Sequence, residues 1–158
     1  DLNGSEKELL KNVGYVPEKA LMPAHLTAYR FLSIYGGVMF SSAQKLKKAI
    51  GEKLAIVELA SSKDELIGTF SKGMKKRLMI AHAILSEPDL LILDEPFEGL
   101  DLKQRKNLKN IFKFYSSSGT TIIISSHELY ELKDICERIN LLENKNITAF
   151  NSLKDFDY

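Results

Sequence analysis

Glu18, Ser71, Gly73, Asp94, Glu95 and His127 are the residues of this chain whose types and settings can do chemistry. Asp94 and Glu95 close the stretch Leu90-Leu91-Ile92-Leu93, which lies between Pro88-Asp89 and Pro96 and reads as a strand buried on both faces. Carboxylates at the end of such a strand lie where open α/β sheets put their ligand crevice. Side chains alternate direction along a strand, so one carboxylate can hold a metal while the other takes a proton. An acidic turn that merely ends a hydrophobic strand is the alternative. Glu18 follows Val13 to Pro17 and His127 follows the β-branched run Thr120 to Ser126, so each also stands at a strand exit. Parallel sheets bring their strand exits to one edge. A metal, a base and a cationic or hydrogen-bonding group in one crevice is what hydrolytic attack on a phosphate requires. Ser71 is placed to cap a helix, and Gly73 lets a ligand approach its first turn. Free N–H groups and the helix dipole attract anions at such a terminus, although most Ser-capped helices bind none.

A chain of 158 residues suits one domain with a real core, and 44% hydrophobic and 27% charged residues are ordinary globular values. The net charge of +1 gives no electrostatic argument for nucleic acid, and no nucleic-acid partner is expected. Cys136 is the only cysteine, which excludes an internal disulfide; it reads as a small buried side chain on a helix. No apolar run approaches the ~20 residues needed to cross a bilayer. The polar start Asp1-Leu2-Asn3-Gly4-Ser5 lacks a signal-peptide core, so the chain reads as cytosolic.

The elements that must position these groups follow from pattern. Asp1 to Ser5 reads as a turn, Glu6 to Lys11 as a short helix or connector, and Val13 to Val16 as a strand. Thr27 caps a helix through Ile34, closed by Gly36-Gly37. Ser42 to about Leu59 is helical, with Leu46, Ile50, Leu54 and Val57 on one face and Gly51 costing about 1 kcal/mol relative to alanine. Lys45, Lys47, Lys48 and Lys53 read as a solvated basic face, and Lys75 and Arg77 as surface charges. A helix over Ser71–Leu85 carries the stripe Met74, Leu78, Ala81 and Leu85; another over Leu102–Tyr115 carries Leu108, Ile111, Phe112 and Tyr115. Thr120–Ser126 is a strand and Glu128–Cys136 a helix. Ile139–Leu142 and Asn146–Phe150 form a hairpin around Glu143-Asn144-Lys145. Alternating strands and helices in the second half imply right-handed βαβ units and a parallel sheet. Residues 21 to about 87 hold no convincing strand, which suggests a helical subdomain inserted into an α/β core.

In order along the chain, five segments resemble motifs of the nucleotide-binding domain of ATP-binding cassette (ABC) transporters. Val16-Pro17-Glu18 resembles the Q-loop, Phe70 to Met74 the signature loop, and Leu90 to Pro96 the Walker B strand with its catalytic carboxylate. Gly99-Leu100-Asp101 is similar to the D-loop, and Ser125-Ser126-His127 to the switch-histidine loop. The resemblance runs from residue 13 to about 150. It implies a P-loop NTPase (RecA-like) core formed by residues 1–20 and 88–158, with a helical signature subdomain at 21–87. The departures are specific. No Gly-x-x-x-x-Gly-Lys-Ser/Thr occurs, and none of the nine glycines precedes a lysine. The expectation is an N-terminally truncated domain, cut after the phosphate-binding loop. Glu18 stands where the family usually has glutamine, and Phe-Ser-Lys-Gly-Met replaces the commoner Leu-Ser-Gly-Gly-Gln. Ser-Lys-Gly-Met loops resemble those of bacterial exporter-type members.

For the intact protein the resemblance implies an ATPase coupled to transport, with ATP and Mg²⁺ bound between two nucleotide-binding domains paired head to tail, homo- or heterodimeric. Asp94 and Glu18 would hold Mg²⁺, Glu95 would be the general base, and His127 would bond the γ-phosphate. Ser71 and Gly73 would contact the ATP of the partner, Glu18 would sense phosphate, and Asp101 would link the two sites. A membrane permease is the implied partner, and the protein would sit in the cytoplasm against the inner face of the membrane. Tyr29, Phe31 and Tyr35 stand near that contact or in the helix core. The fragment alone is expected to hydrolyse no ATP, and its Ile122-Ile123-Ile124 strand to leave an open hydrophobic edge. The alternatives are a non-catalytic module of the same fold and a soluble ABC-type ATPase not involved in transport.

Overall fold

The computed structural model describes residues 12–19 and 21–150, so the turn expected at Asp1 to Ser5 and the segment Glu6 to Lys11 lie outside the described residues. The chain divides into two compact units, Asp1–Ser125 and Ser126–Tyr158.

The sheet of the first unit has, among the described residues, three parallel strands: β1 (Val13–Val16), β2 (Leu90–Asp94) and β3 (Thr121–Ser125), in the order β1-β2-β3. The central strand is the most apolar, and its register brings Val16 beside Leu93 and Asp94 beside Ser125. All three exits therefore fall on one edge. Between β1 and β2 run the helices α1 (Ala28–Gly36), α2 (Ala43–Ile56) and α3 (Lys72–Ala83), with two short 3₁₀ turns and, among the described residues, no strand. This is the expected helical insertion. After β2, α4 (Leu102–Ser117) returns the chain to β3.

The helix starts follow from capping. The hydroxyls of Thr27, Ser42 and Ser71 accept from the backbone N–H three residues on, satisfying donors that the first turn leaves orphaned. α2 runs unbroken through Gly51, whose missing side chain would meet nothing within 4 Å. Helix α3 packs against β1 so closely that a Cβ on Gly14 would stand 2.3 Å from the carbonyl oxygen of Ala83. Glycine is required there by contact.

Three expectations are corrected. Leu91 and Leu93 are buried, but Leu90 and Ile92 are only partly so, and β2 is covered on one face rather than both. The register aligns Tyr15, Ile92 and Ile123 across the other face, where Tyr15 is 52% and Ile123 54% exposed. β3 is an outer strand of the described sheet. Lys53 is no part of a solvated face: its side chain is 6% exposed, and Nζ donates to Glu87 Oε1 (3.1 Å) and the Tyr115 hydroxyl (3.0 Å). Burial works against that charge, but Tyr115 and Glu87 more than offset it and raise the lysine above its ordinary range. Arg77 is also buried, for reasons given below.

In the insertion Phe31, Tyr35 and His82 form an aromatic cluster, with His82 ring centroids 5.5 Å from Phe31 and 4.9 Å from Tyr35. Phe31 is core, as the packing alternative had it, while Tyr35 stays 45% exposed. Both ring nitrogens of His82 are buried without a hydrogen-bond partner.

The second unit holds α5 (Leu129–Leu132) and the antiparallel hairpin β4 (Ile139–Glu143) and β5 (Asn146–Phe150). Asn144 and Lys145 both take positive φ, the two-residue turn that matches strand twist. The helix expected over Glu128–Cys136 shrinks to one turn, because Glu128 supplies no side-chain cap and so short a segment does not sustain itself. Cys136, partly buried, lies beyond it.

Two outcomes follow. Gly51→Ala should raise unfolding free energy by about 1 kcal/mol, read in a denaturant titration. Burial holds the His82 pKa below its ordinary 6.5. Below that value the unfolded chain takes up a proton that the folded chain resists, so stability falls as pH drops. His82→Phe should keep the ring contacts and lose less Tm between neutral and mildly acidic pH than the natural chain.

Candidate functional site

The site is built from the exits of β1 and β2, closed by β3 and α3. Asp94 is the last residue of β2, and the chain then turns at Glu95 with φ of 44°, a left-handed conformation that a residue with a side chain seldom adopts. Ser125, beside Asp94 in register, secures this turn twice over. Its hydroxyl donates to Asp94 Oδ1 and accepts the Glu95 N–H (3.2 Å), which also reaches the Ser125 carbonyl at 3.2 Å. One hydroxyl thus engages both residues, the Asp94 carboxylate and the Glu95 backbone N–H.

The opposite side of the turn is held by Lys76. From the second turn of α3 its Nζ donates to the carbonyls of Glu18 and Glu95, 3.0 Å each. The residue is 6% exposed. Burial pulls its ammonium below the usual lysine range; Glu98, Asp94 and Glu18 oppose that and Lys72 adds to it. The strand exits that carry Glu18 and Glu95 therefore meet on one cation. The Glu18 carboxylate itself faces outward and pairs with Lys19 at 3.4 Å.

The signature segment packs against the loop after β2. Lys72 pairs with Glu98 at 2.6 Å and holds that carboxyl below its usual range. Gly99, at φ of 75°, turns the loop where a Cβ would stand 2.9 Å from Lys72 Cδ. A Cβ on Gly73 would lie 2.9 Å from Gln104 Oε1 and 3.2 Å from Leu100 Cδ2, so this glycine is buried against its own chain. Ser71 is exposed and its hydroxyl accepts from Met74 N at 3.2 Å. Asp101 caps α4, accepting from Gln104 N at 2.8 Å. Arg77, expected on the surface, donates to the carbonyls of Val57 (2.9 Å) and Glu58 (3.0 Å) and so closes the C-terminus of α2. His127 belongs to the second unit.

The sequence reading missed Lys76 and Arg77. Their signal was available: Gly73, Lys76, Arg77 and Ile80 recur at helical spacing on one buried face, and only the charge disguised it.

Among the described residues no group of three or more His, Cys, Asp or Glu is gathered to hold a metal. Mg²⁺ needs only one or two carboxylates and completes its shell with water and substrate phosphates. Asp94, already oriented by Ser125, is a fitting donor.

A parallel sheet with acidic strand exits and a helical insertion ahead of its central strand is a fold of the P-loop NTPase class. The chain belongs to the ABC transporter family, whose model matches residues 1–98. It is 39% identical over 149 residues to the ABC transporter ATP-binding protein YcbN of Bacillus subtilis, covering 94% of this chain and 48% of that protein. It is 34% identical to the Nod factor export ATP-binding protein I of a Rhizobium species, covering 85% of this chain and 44% of that protein. A solved ATP-binding subunit of an ABC transporter superposes with a TM-score of 0.81 at 27% identity, over 91% of this chain and 60% of that one. The chain thus spans about half the length of these curated relatives.

Gly73→Ala should cost less than about 1 kcal/mol, because the Gln104 amide can swing aside, whereas Gly73→Leu should cost about 1–3 kcal/mol through overpacking against Leu100. Urea titration of the two variants separates these outcomes.

Proposed function

We propose that this chain is part of the ATP-binding subunit of an ABC transporter, an ATPase whose cycle of nucleotide binding and hydrolysis drives transport through a membrane permease. The observation that carries the reading is the paired carboxylate turn at Asp94-Glu95, held by Ser125 on one side and joined to the Glu18 exit by Lys76 on the other. Such a turn, backed by the N-terminus of α3, suits a magnesium nucleotide.

In this reading Asp94 holds Mg²⁺ together with phosphate oxygens, and Glu18 contributes through water. Bound Mg²⁺ neutralises charge on the phosphates. Glu95 accepts the proton of the attacking water. His127, in the Ser125-Ser126-His127 segment, bonds the γ-phosphate. The capped N-terminus of α3 at Ser71 and Gly73 presents backbone N–H groups to a nucleotide held by a second nucleotide-binding domain. Asp101, fixed at the head of α4, stands in the loop that would meet the same partner. Residues 21–87 act as the subdomain that passes motion to the permease, and Glu18 relays to it. The name of the Nod factor relative favours export. The protein would lie in the cytoplasm against the inner face of the membrane. The phosphate-binding loop is absent from these 158 residues, and the chain as it stands should turn over no ATP.

Glu95→Gln tests the assignment in the intact ATPase. Loss of a positioned base costs about 10²–10⁴ in rate. Turnover should fall by that factor with ATP affinity retained, measured by phosphate release and nucleotide titration. Turnover equal to the natural enzyme would reject Glu95 as the base.

A further inference from the structure

The Lys76 side chain bonds to both strand exits. The residue is 6% exposed and its Nζ is engaged with two backbone carbonyls. Its partners are what matter. Glu95 is held at φ of 44°, and the direction of its carboxylate depends on how its two flanking peptides are fixed. The N–H side is fixed by Ser125, and the carbonyl side by Lys76 together with the Glu98 N–H, which donates to the same oxygen at 3.3 Å. Loss of the Ser125 or the Lys76 contact weakens the hold on a left-handed residue. The neighbouring cations are otherwise committed, Lys72 to Glu98 and Lys19 to the Glu18 carboxylate.

We infer that Lys76 is a positioning residue for the reaction, clamping the Glu95 carbonyl to the Glu18 carbonyl so that the proposed base is correctly aimed and the two strand exits move with α3 as one body. The inference rests on the proposed ATPase reading and deepens it. The helix that carries Lys76 is the one whose N-terminus would receive the partner's nucleotide. Its first turns are packed against Gly99, Leu100 and Gln104 through Gly73. A displacement of that terminus is passed by one side chain, across about one helical turn, to Glu95 and Glu18 together. Arg77, one position on, reaches instead to the carbonyls of Val57 and Glu58 at the end of α2, so it shares neither of these bonds.

The test uses Lys76→Met, which keeps the stem and removes the donors, and Lys76→Gln, whose amide offers two N–H groups. In the intact ATPase, Lys76→Met should lower kcat by about 10- to 100-fold, the range expected when a base is misplaced and not removed. KM for ATP should stay within twofold, and Lys76→Gln should recover at least a third of the natural kcat. A kcat for Lys76→Met within twofold of natural, a parallel rise in KM, or a Lys76→Gln no better than Lys76→Met would each overturn the inference. If Lys76→Met does not fold, a folded Lys76→Gln with kcat below a third of natural overturns it, and one above that supports it. Hydrogen exchange on this chain gives a readout independent of turnover. Lys76→Met should speed exchange at Lys19 and at the amides following Glu95 together, leaving the middle of α3 protected; unchanged exchange at both exits overturns the clamp. If exchange responds in this way while the natural intact protein hydrolyses no ATP, the clamp stands and the ATPase reading falls.

Discussion

The arrangement of strand exits depends on one buried ammonium group placed between two carbonyl oxygens. Removing the charge of Lys76 from water is costly, and the cost is tolerable only because both carbonyls accept from it and Glu98, Asp94 and Glu18 surround it with negative potential. The cation in turn makes those carboxylates compatible with one another at a single rim. The group is also a ruler, since its two 3.0 Å bonds fix how far the turn after β1 can stand from the turn after β2.

Helix α3 is where that constraint is delivered. Its buried face reads Gly73, Lys76, Arg77, Ile80 and Ala81, and each does a different job. Gly73 admits the loop after β2, Lys76 holds the exits, and Arg77 accounts for the last carbonyls of α2. Ala83, at the far end, lies against Gly14 of β1. A helix fixed at both ends and in the middle cannot slide along the sheet without breaking contacts of three kinds. The Nε of Arg77 is left buried without a partner, a local cost that its two carbonyl bonds offset.

Most of the elements were legible because their signals are local. Thr27 and Ser71 announce helix starts through their own backbone three residues on, and Asn144-Lys145 make a tight turn from their own dihedral angles. The central strand was legible from its apolar run. Legibility failed where the deciding partner was distant. Lys53 meets Tyr115 across 62 residues and Arg77 meets Val57 across 20, so a charge count along the chain assigned both to solvent. The half-open face of β2 failed for the same reason, since a run such as Leu90 to Leu93 reports hydrophobicity and not what covers it. Asp94 and Glu95 were found as a pair by position. That Ser125 and Lys76 hold them could only come from the third dimension.

The left-handed Glu95 shows why so much is spent on one turn. A non-glycine residue in that region costs about 1–3 kcal/mol, and each ordinary hydrogen bond returns about 0.5–1.5 kcal/mol. The Glu95 N–H is shared between the two Ser125 oxygens, and its carbonyl accepts from both Lys76 and the Glu98 N–H, contacts that together offset the strain. A turn so balanced is fixed before any ligand arrives, and a group aimed in advance need not be reorganised when charge develops beside it. Because Lys76 ties the Glu95 carbonyl to α3, the aim of Glu95 also responds to a shift of that helix. In the proposed reaction this is how a partner domain at the far end of one helix would influence a carboxylate it never touches.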